Sequence, residues 1–191
     1  MNHLYAFLEN KTIAVIGNGP QEIGTANGSK IDSYDIVIRF NYYQEGLDRY
    51  GKDYGHKTHI WCCDRSLRNI PPLSNTIEYI LCPNDYLFDD FRWEVINFYH
   101  SSHSKGCNVY AIPSLVLDEL NSKHNMLSPS SGLRVVSMLN QMNLIKKEDI
   151  YGFSFKTEDM KKNVCEHFWG DSSIWLHNFD KESQIISNIF Q

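Results

Sequence analysis

Thr12-Ile13-Ala14-Val15-Ile16-Gly17-Asn18-Gly19-Pro20 decides the class of fold. Its first five residues form an apolar run of strand length, the pattern of a strand buried in a sheet. The run opens straight into a turn carrying two glycines. Moving outward, further short apolar runs predict strands over Asp35–Phe40, His59–Asp64, Glu78–Pro83, Asn108–Pro113 and Asp149–Phe155. Helical spacing falls at Tyr86–Tyr99, Leu115–Ser122, Leu133–Met142 and Asp180–Phe190; in the third, Leu133, Val136 and Leu139 share one side. Strands alternating with helices imply an α/β sandwich with a largely parallel central sheet flanked by helices. Ligands in such sheets lie beyond the carboxyl ends of the strands, where strands turn into helices.

The turn at Gly17-Asn18-Gly19 occupies such a place. Glycines there permit tight turning and close approach of a ligand to the backbone, and Asn18 adds an amide able to donate to a phosphate oxygen. A plain turn explains the same residues. Pro20, Gln21 and Glu22 follow, so the stretch is not a G-x-G-x-x-G fingerprint, and no G-K-[ST] is present anywhere. Conventional dinucleotide and nucleoside-triphosphate loops therefore lose ground. In the next run, Ile31-Asp32-Ser33-Tyr34-Asp35-Ile36-Val37-Ile38-Arg39-Phe40-Asn41, strand alternation directs Arg39 and Asn41 to one side at the end of the sheet. A strand-end salt bridge and a turn asparagine are the plainer alternative.

Composition bounds the rest. The 191 residues suffice for one domain with a full core, apolar content is 42% and charge 21%. A net charge of −5 argues against a nucleic-acid partner. The opening MNHLYAFLENK has no signal-peptide pattern, and no apolar run approaches the ~18–20 residues that span a bilayer. The odd set Cys62, Cys63, Cys82, Cys107 and Cys165 reads as reduced, buried thiols of a cytoplasmic protein, one that could sit peripherally at the inner face of the membrane.

Four motifs in order resemble the animal-type sialyltransferases, glycosyltransferase family 29. Gly17-Asn18 with Ile31–Asn41 resembles the large sialyl motif. Pro129-Ser130-Ser131-Gly132, a helical run and Asp149-Ile150-Tyr151-Gly152-Phe153 resemble the small one. His167-Phe168-Trp169-Gly170 resembles the short aromatic motif, with Gly170 where an acid usually stands and Asp171 next. His177-Asn178-Phe179-Asp180-Lys181-Glu182 resembles the very small motif, a His and a Glu four residues apart.

The resemblance implies a single GT-A-like modified Rossmann domain over residues 1–191 and an inverting transferase using a CMP-activated sugar acid. The acceptor would be a glycan, free or lipid-linked, and no cofactor would be needed because the CMP-sugar is itself a substrate. By that analogy Gly17, Asn18, Gly19, Asn41, Ser130, Ser131 and Gly132 hold the CMP moiety and Arg39 supports the pocket. His177 is the base that takes the acceptor hydroxyl proton, and His167 faces the departing phosphate. Glu182 orients His177 or its loop, or is a solvated carboxylate at a helix start. Luminal relatives join their large and small motifs by a disulfide and carry a membrane anchor. No Cys lies near Thr12 or within Leu133–Met142, so the expectation is a compact, bacterial-type enzyme with reduced acceptor insertions.

The chemistry of these residues stands beside the resemblance. Ser130, Ser131 and Gly132 start a predicted helix, where unpaired N–H groups attract anions, although simple capping by the serines is an alternative. A single phosphate is a leaving group of modest charge, and no D-x-D accompanies it, so no metal is expected. His56/His59 and His100/His103 beside Cys62 and Cys63 lack a zinc-motif arrangement. Kdo as the donor sugar of a bacterial surface glycan, a non-catalytic CMP-sugar module, and a glycan-assembly subunit with exposed Tyr42, Tyr43, Trp93 and Tyr99 are the competing readings. Residues 42–128 carry no motif that decides among them.

Overall fold

Each of the six apolar runs becomes a strand: β1 (Ile13–Ile16), β2 (Ile36–Phe40), β3 (Ile60–Cys62), β4 (Tyr79–Cys82), β5 (Asn108–Ala111) and β6 (Ile150–Tyr151). They pair in the order β5-β4-β3-β2-β1-β6, and every ladder is parallel. The computed structural model describes residues 2–63, 76–83, 106–153, 165–168, 170–172 and 178–190. β6 is shorter than its apolar run because Gly152 takes φ +67° and turns the chain out of the sheet.

Among the described residues six α-helices accompany the strands: α1 (Asn2–Leu8), α2 (Gly28–Ile31), α3 (Leu47–Tyr54), α4 (Ser114–His124), α5 (Ser131–Gln141) and α6 (Phe179–Ile189). The last three match the predicted ones, whereas the run Tyr86–Tyr99 lies outside the described residues. α2 and α3 escape a propensity reading because glycine disfavours helix. Their glycines are used for close approach: a Cβ on Gly28 would stand 2.4 Å from the Gly51 carbonyl oxygen. A small antiparallel pair, β7 (Cys165–His167) and β8 (Gly170–Ser172), completes the described elements.

Strand alternation splits the core between the two faces of the sheet. Ile13, Val15, Ile36, Ile38 and Ile60 pack with α1, α4, α5 and α6. Ala14, Ile16, Val37, Trp61 and Ile80 pack with Leu47 and Tyr54 of α3 and with Phe168. α5 is buried from Leu133 through Leu139, well beyond one face. Tyr43, one of the aromatics that the assembly-subunit alternative needs exposed, is packed in the second cluster instead. Cys62, Cys63, Cys82 and Cys107 are buried thiols in no disulfide. Among the described residues no helix is long and apolar enough to cross a membrane.

Candidate functional site

Strands β2 to β5 extend the sheet away from β1 on one side, while β6 returns on the other. The strand order therefore reverses between β1 and β6, the position where parallel sheets open a crevice for ligands. The Gly17–Gly19 turn leaves β1 at that point and Gly152-Phe153 leaves β6 beside it.

The two loops are tied to each other. Gly17 N–H donates to the Tyr151 carbonyl at 2.7 Å and Gly19 N–H to that of Gly152 at 2.9 Å. Gly152 N–H in turn donates to Glu22 Oε1 at 3.2 Å. A Cβ on Gly17 would lie 2.4 Å from the Gly152 oxygen and 2.8 Å from the Phe153 ring. The glycines are thus required for packing between loops, and their N–H groups are already bonded. Asn18 ties the turn to β2 through Nδ2, which donates to the Phe40 carbonyl at 3.1 Å. Its Oδ1 is buried and has no hydrogen-bond partner among the described residues, a demand of the kind a ligand donor satisfies.

Phe153 links this turn to the start of α5. Its ring also lies 2.7 Å from where a Cβ on Gly132 would stand, so glycine is needed on both sides of one phenyl group. Ser130 caps α5: its Oγ accepts from Leu133 N–H at 3.2 Å and donates to Glu182 Oε2 at 2.5 Å. Ser130 N–H donates to Glu182 Oε1 at 2.8 Å. Glu182 is therefore no solvated carboxylate but a buried strut, only 4% exposed, joining the first turn of α6 to the start of α5. With Leu133 N–H capped, the N–H groups of Ser131 and Gly132 remain beyond reach of any carbonyl within the helix.

Arg39 is fully buried beneath the crevice on the α3 side. Among the described residues it makes no strand-end salt bridge; its Nε and Nη2 donate to the carbonyls of Lys57 at 2.8 Å and Tyr54 at 2.7 Å. Burial lowers its pKa to about 10, which leaves it a cation at neutral pH. Asn41 departs from the alternation expected of it. It sits at φ 48°, a left-handed conformation that asparagine tolerates, and its carbonyl accepts from Trp61 Nε1 at 2.9 Å.

His167 reaches the crevice through its neighbour. Phe168 N–H donates to the Asn18 carbonyl at 2.8 Å, and the Phe168 ring stacks on Tyr54 at 4.2 Å between centroids. Gly170 stands opposite His167 in the β7–β8 ladder. His177 lies outside the described residues, as do Trp93, Tyr99, His100, His103 and Trp169; Asn178, next to His177, caps α6 by accepting from Lys181 N–H. His59 belongs to the sheet, its Nδ1 accepting from Val37 N–H at 3.0 Å. Two groups at the site escaped the sequence reading. Tyr54 sits in a stretch without motif, and Arg134, buried in α5, donates to the carbonyls of Pro83 and Pro129. The one available signal for Arg134 was a cation inside an otherwise apolar helical run.

Residues 8–116, more than half of the chain, match the model of glycosyltransferase family 29 (sialyltransferase). The chain belongs to that family. This sialyltransferase-family protein also superposes on two crystal structures of a mammalian sialyltransferase, one of them in complex with Gal-beta-1-3GalNAc-ortho-nitrophenol. Each gives a TM-score of 0.64 at 18% identity over 94% of this chain and 67% of the other, a likeness that shows the fold. No curated protein matches. Family membership makes the chain a glycosyltransferase dependent on a CMP-activated sugar. The matched stretch contains Gly17, Asn18, Arg39 and Asn41, whereas Ser130, Ser131, Gly132, His167 and Glu182 lie beyond it.

Proposed function

We propose that this protein transfers a sialic-acid-type sugar from a CMP-activated donor to a glycan hydroxyl, with inversion and without a metal. The observation that carries the reading is the insertion of Phe153 between Gly17 and Gly132, which sets the first turn of α5, where amides lack a carbonyl partner within the helix, beside the Asn18 turn. N–H groups at a helix start, at the positive end of its dipole, suit a monophosphate. Asn18, Asn41 and the Ser131-Gly132 amides form the proposed nucleotide cradle, while Gly17, Gly19, Ser130 and Arg39 hold its shape.

In the proposed reaction the acceptor oxygen attacks the anomeric carbon as the bond to the CMP phosphate breaks. The acceptor proton passes to neutral His177, and His167 donates to the departing phosphate. Since one imidazole works neutral and the other charged, transfer should show a bell-shaped pH profile. The buried thiols, which form no disulfide among the described residues, support a reducing compartment as its place of work.

CMP should raise the melting temperature of the protein, and His177→Ala should abolish transfer while CMP binding stays near wild type. A donor screen with CMP-sialic acid and CMP-Kdo reads the sugar directly. No stabilisation by CMP would end the donor assignment, and normal turnover of His177→Ala would end the assignment of the base.

A further inference from the structure

Tyr54, the last residue of α3, is completely buried and sits where three parts of the site meet. Its hydroxyl donates to the Gly19 carbonyl at 2.5 Å and accepts from Glu22 N–H at 3.2 Å, so it holds both ends of the turn after β1. Its ring stacks on Phe168 with 18° between planes, and Phe168 adjoins His167 and is bonded to Asn18. Its carbonyl is one of the two that anchor the Arg39 guanidinium. Burial keeps the phenol far above its ordinary pKa, so the hydroxyl remains a donor throughout the working pH range.

An aliphatic side chain would fill the same space in the core. It would supply neither the hydroxyl that spans Gly19 and Glu22 nor the flat face on which Phe168 lies. We propose that Tyr54 is a positioning residue for sugar transfer, setting the β7–β8 pair that carries His167 against the Asn18 turn. Its two ends have separable duties: the hydroxyl shapes the donor-binding turn, and the ring places His167. The inference rests on the proposed donor reading for its kinetic consequences and on geometry alone for the placement of His167.

The test uses the full chain with 13C-labelled histidine, the His167 resonance being assigned by its loss in His167→Gln. Tyr54→Phe keeps the ring and should leave the His167 resonance in place while raising KM for the CMP-sugar about tenfold with little change in kcat. Tyr54→Leu removes both duties; it should shift or broaden the His167 resonance and lower kcat about a hundredfold, the scale of a small misplacement at a reacting centre. Phe168→Leu should reproduce the displaced resonance and substitutes for Tyr54→Leu if that variant does not fold. A merely structural tyrosine would lower the melting temperature but leave KM, kcat and the His167 signal of the folded fraction at wild-type values; that result overturns the proposal. Should the wild type transfer sugar from no CMP donor, the reading of function fails, and the His167 resonance alone decides the role of Tyr54.

Discussion

Two loops that look alike in sequence, each a glycine beside small polar residues at the end of a strand or the start of a helix, do opposite work. At Gly17–Gly19 the N–H groups of the two glycines are taken by the carbonyls of Tyr151 and Gly152, and the missing side chains make room for Gly152 and Phe153. At Ser130–Gly132 Glu182 takes the Ser130 N–H and the cap takes the Leu133 N–H, and the amides between them have no carbonyl partner within the helix. Glycine after a strand is read too readily as a phosphate cradle. Here the turn is a packed joint, and the helix start is the place suited to an anion.

Substitutions can break that contrast. Gly17→Ala should have the largest effect, about 3 kcal/mol of lost stability by urea denaturation, because the new methyl group meets the Gly152 carbonyl and the Phe153 ring. A variant of wild-type stability would show that the joint is loose. Glu182→Ala should cost about 2 kcal/mol by removing the charged acceptor of two Ser130 hydrogen bonds. Its loss should also weaken CMP binding, since the start of α5 is no longer braced.

The serines separate stability from binding. Ser130→Ala removes the helix cap and should lower stability by about 1 kcal/mol. Ser131→Ala should alter stability by less than about 0.5 kcal/mol, as does substitution of a half-buried side chain that makes no hydrogen bond among the described residues. Titration calorimetry with CMP on this pair locates the ligand: weakened binding by Ser131→Ala at unchanged melting temperature places a hydroxyl contact at Ser131, whereas unchanged binding leaves the recognition to the amides.

Mild acid gives the smallest effect, and it acts on the sheet that supports the turn. Val37 N–H needs a neutral His59 Nδ1, and burial lowers the pKa of His59 below its ordinary 6.5. The unfolded chain therefore binds the proton first as pH falls. The contribution is complete above pH 6.5 and fades below it. Melting temperatures across roughly pH 7.5 to 5.5 should fall in the wild type, and the slope should flatten in His59→Gln. Equal slopes would remove His59 from the account.

The sequence alone determined the six strands, three of the helices and the order of the motifs, because buried runs of β-branched residues and helical spacing are local signals. It also marked Asn18, Ser130, His167 and Glu182 as residues of interest. The duties of those residues were decided by tertiary structure. Whether Glu182 meets water or Ser130 depends on how α6 packs on α5, 52 residues apart along the chain. Whether the Gly17 N–H is free depends on β6 lying beside β1, a pairing across more than 130 residues that no local pattern encodes. Tyr54 is the extreme case: as a letter it is an unremarkable aromatic, and its role exists only because Gly19, Glu22 and Phe168 converge on it. Local residue types specify elements, whereas the bonding state of a polar group depends on which distant neighbours the fold supplies.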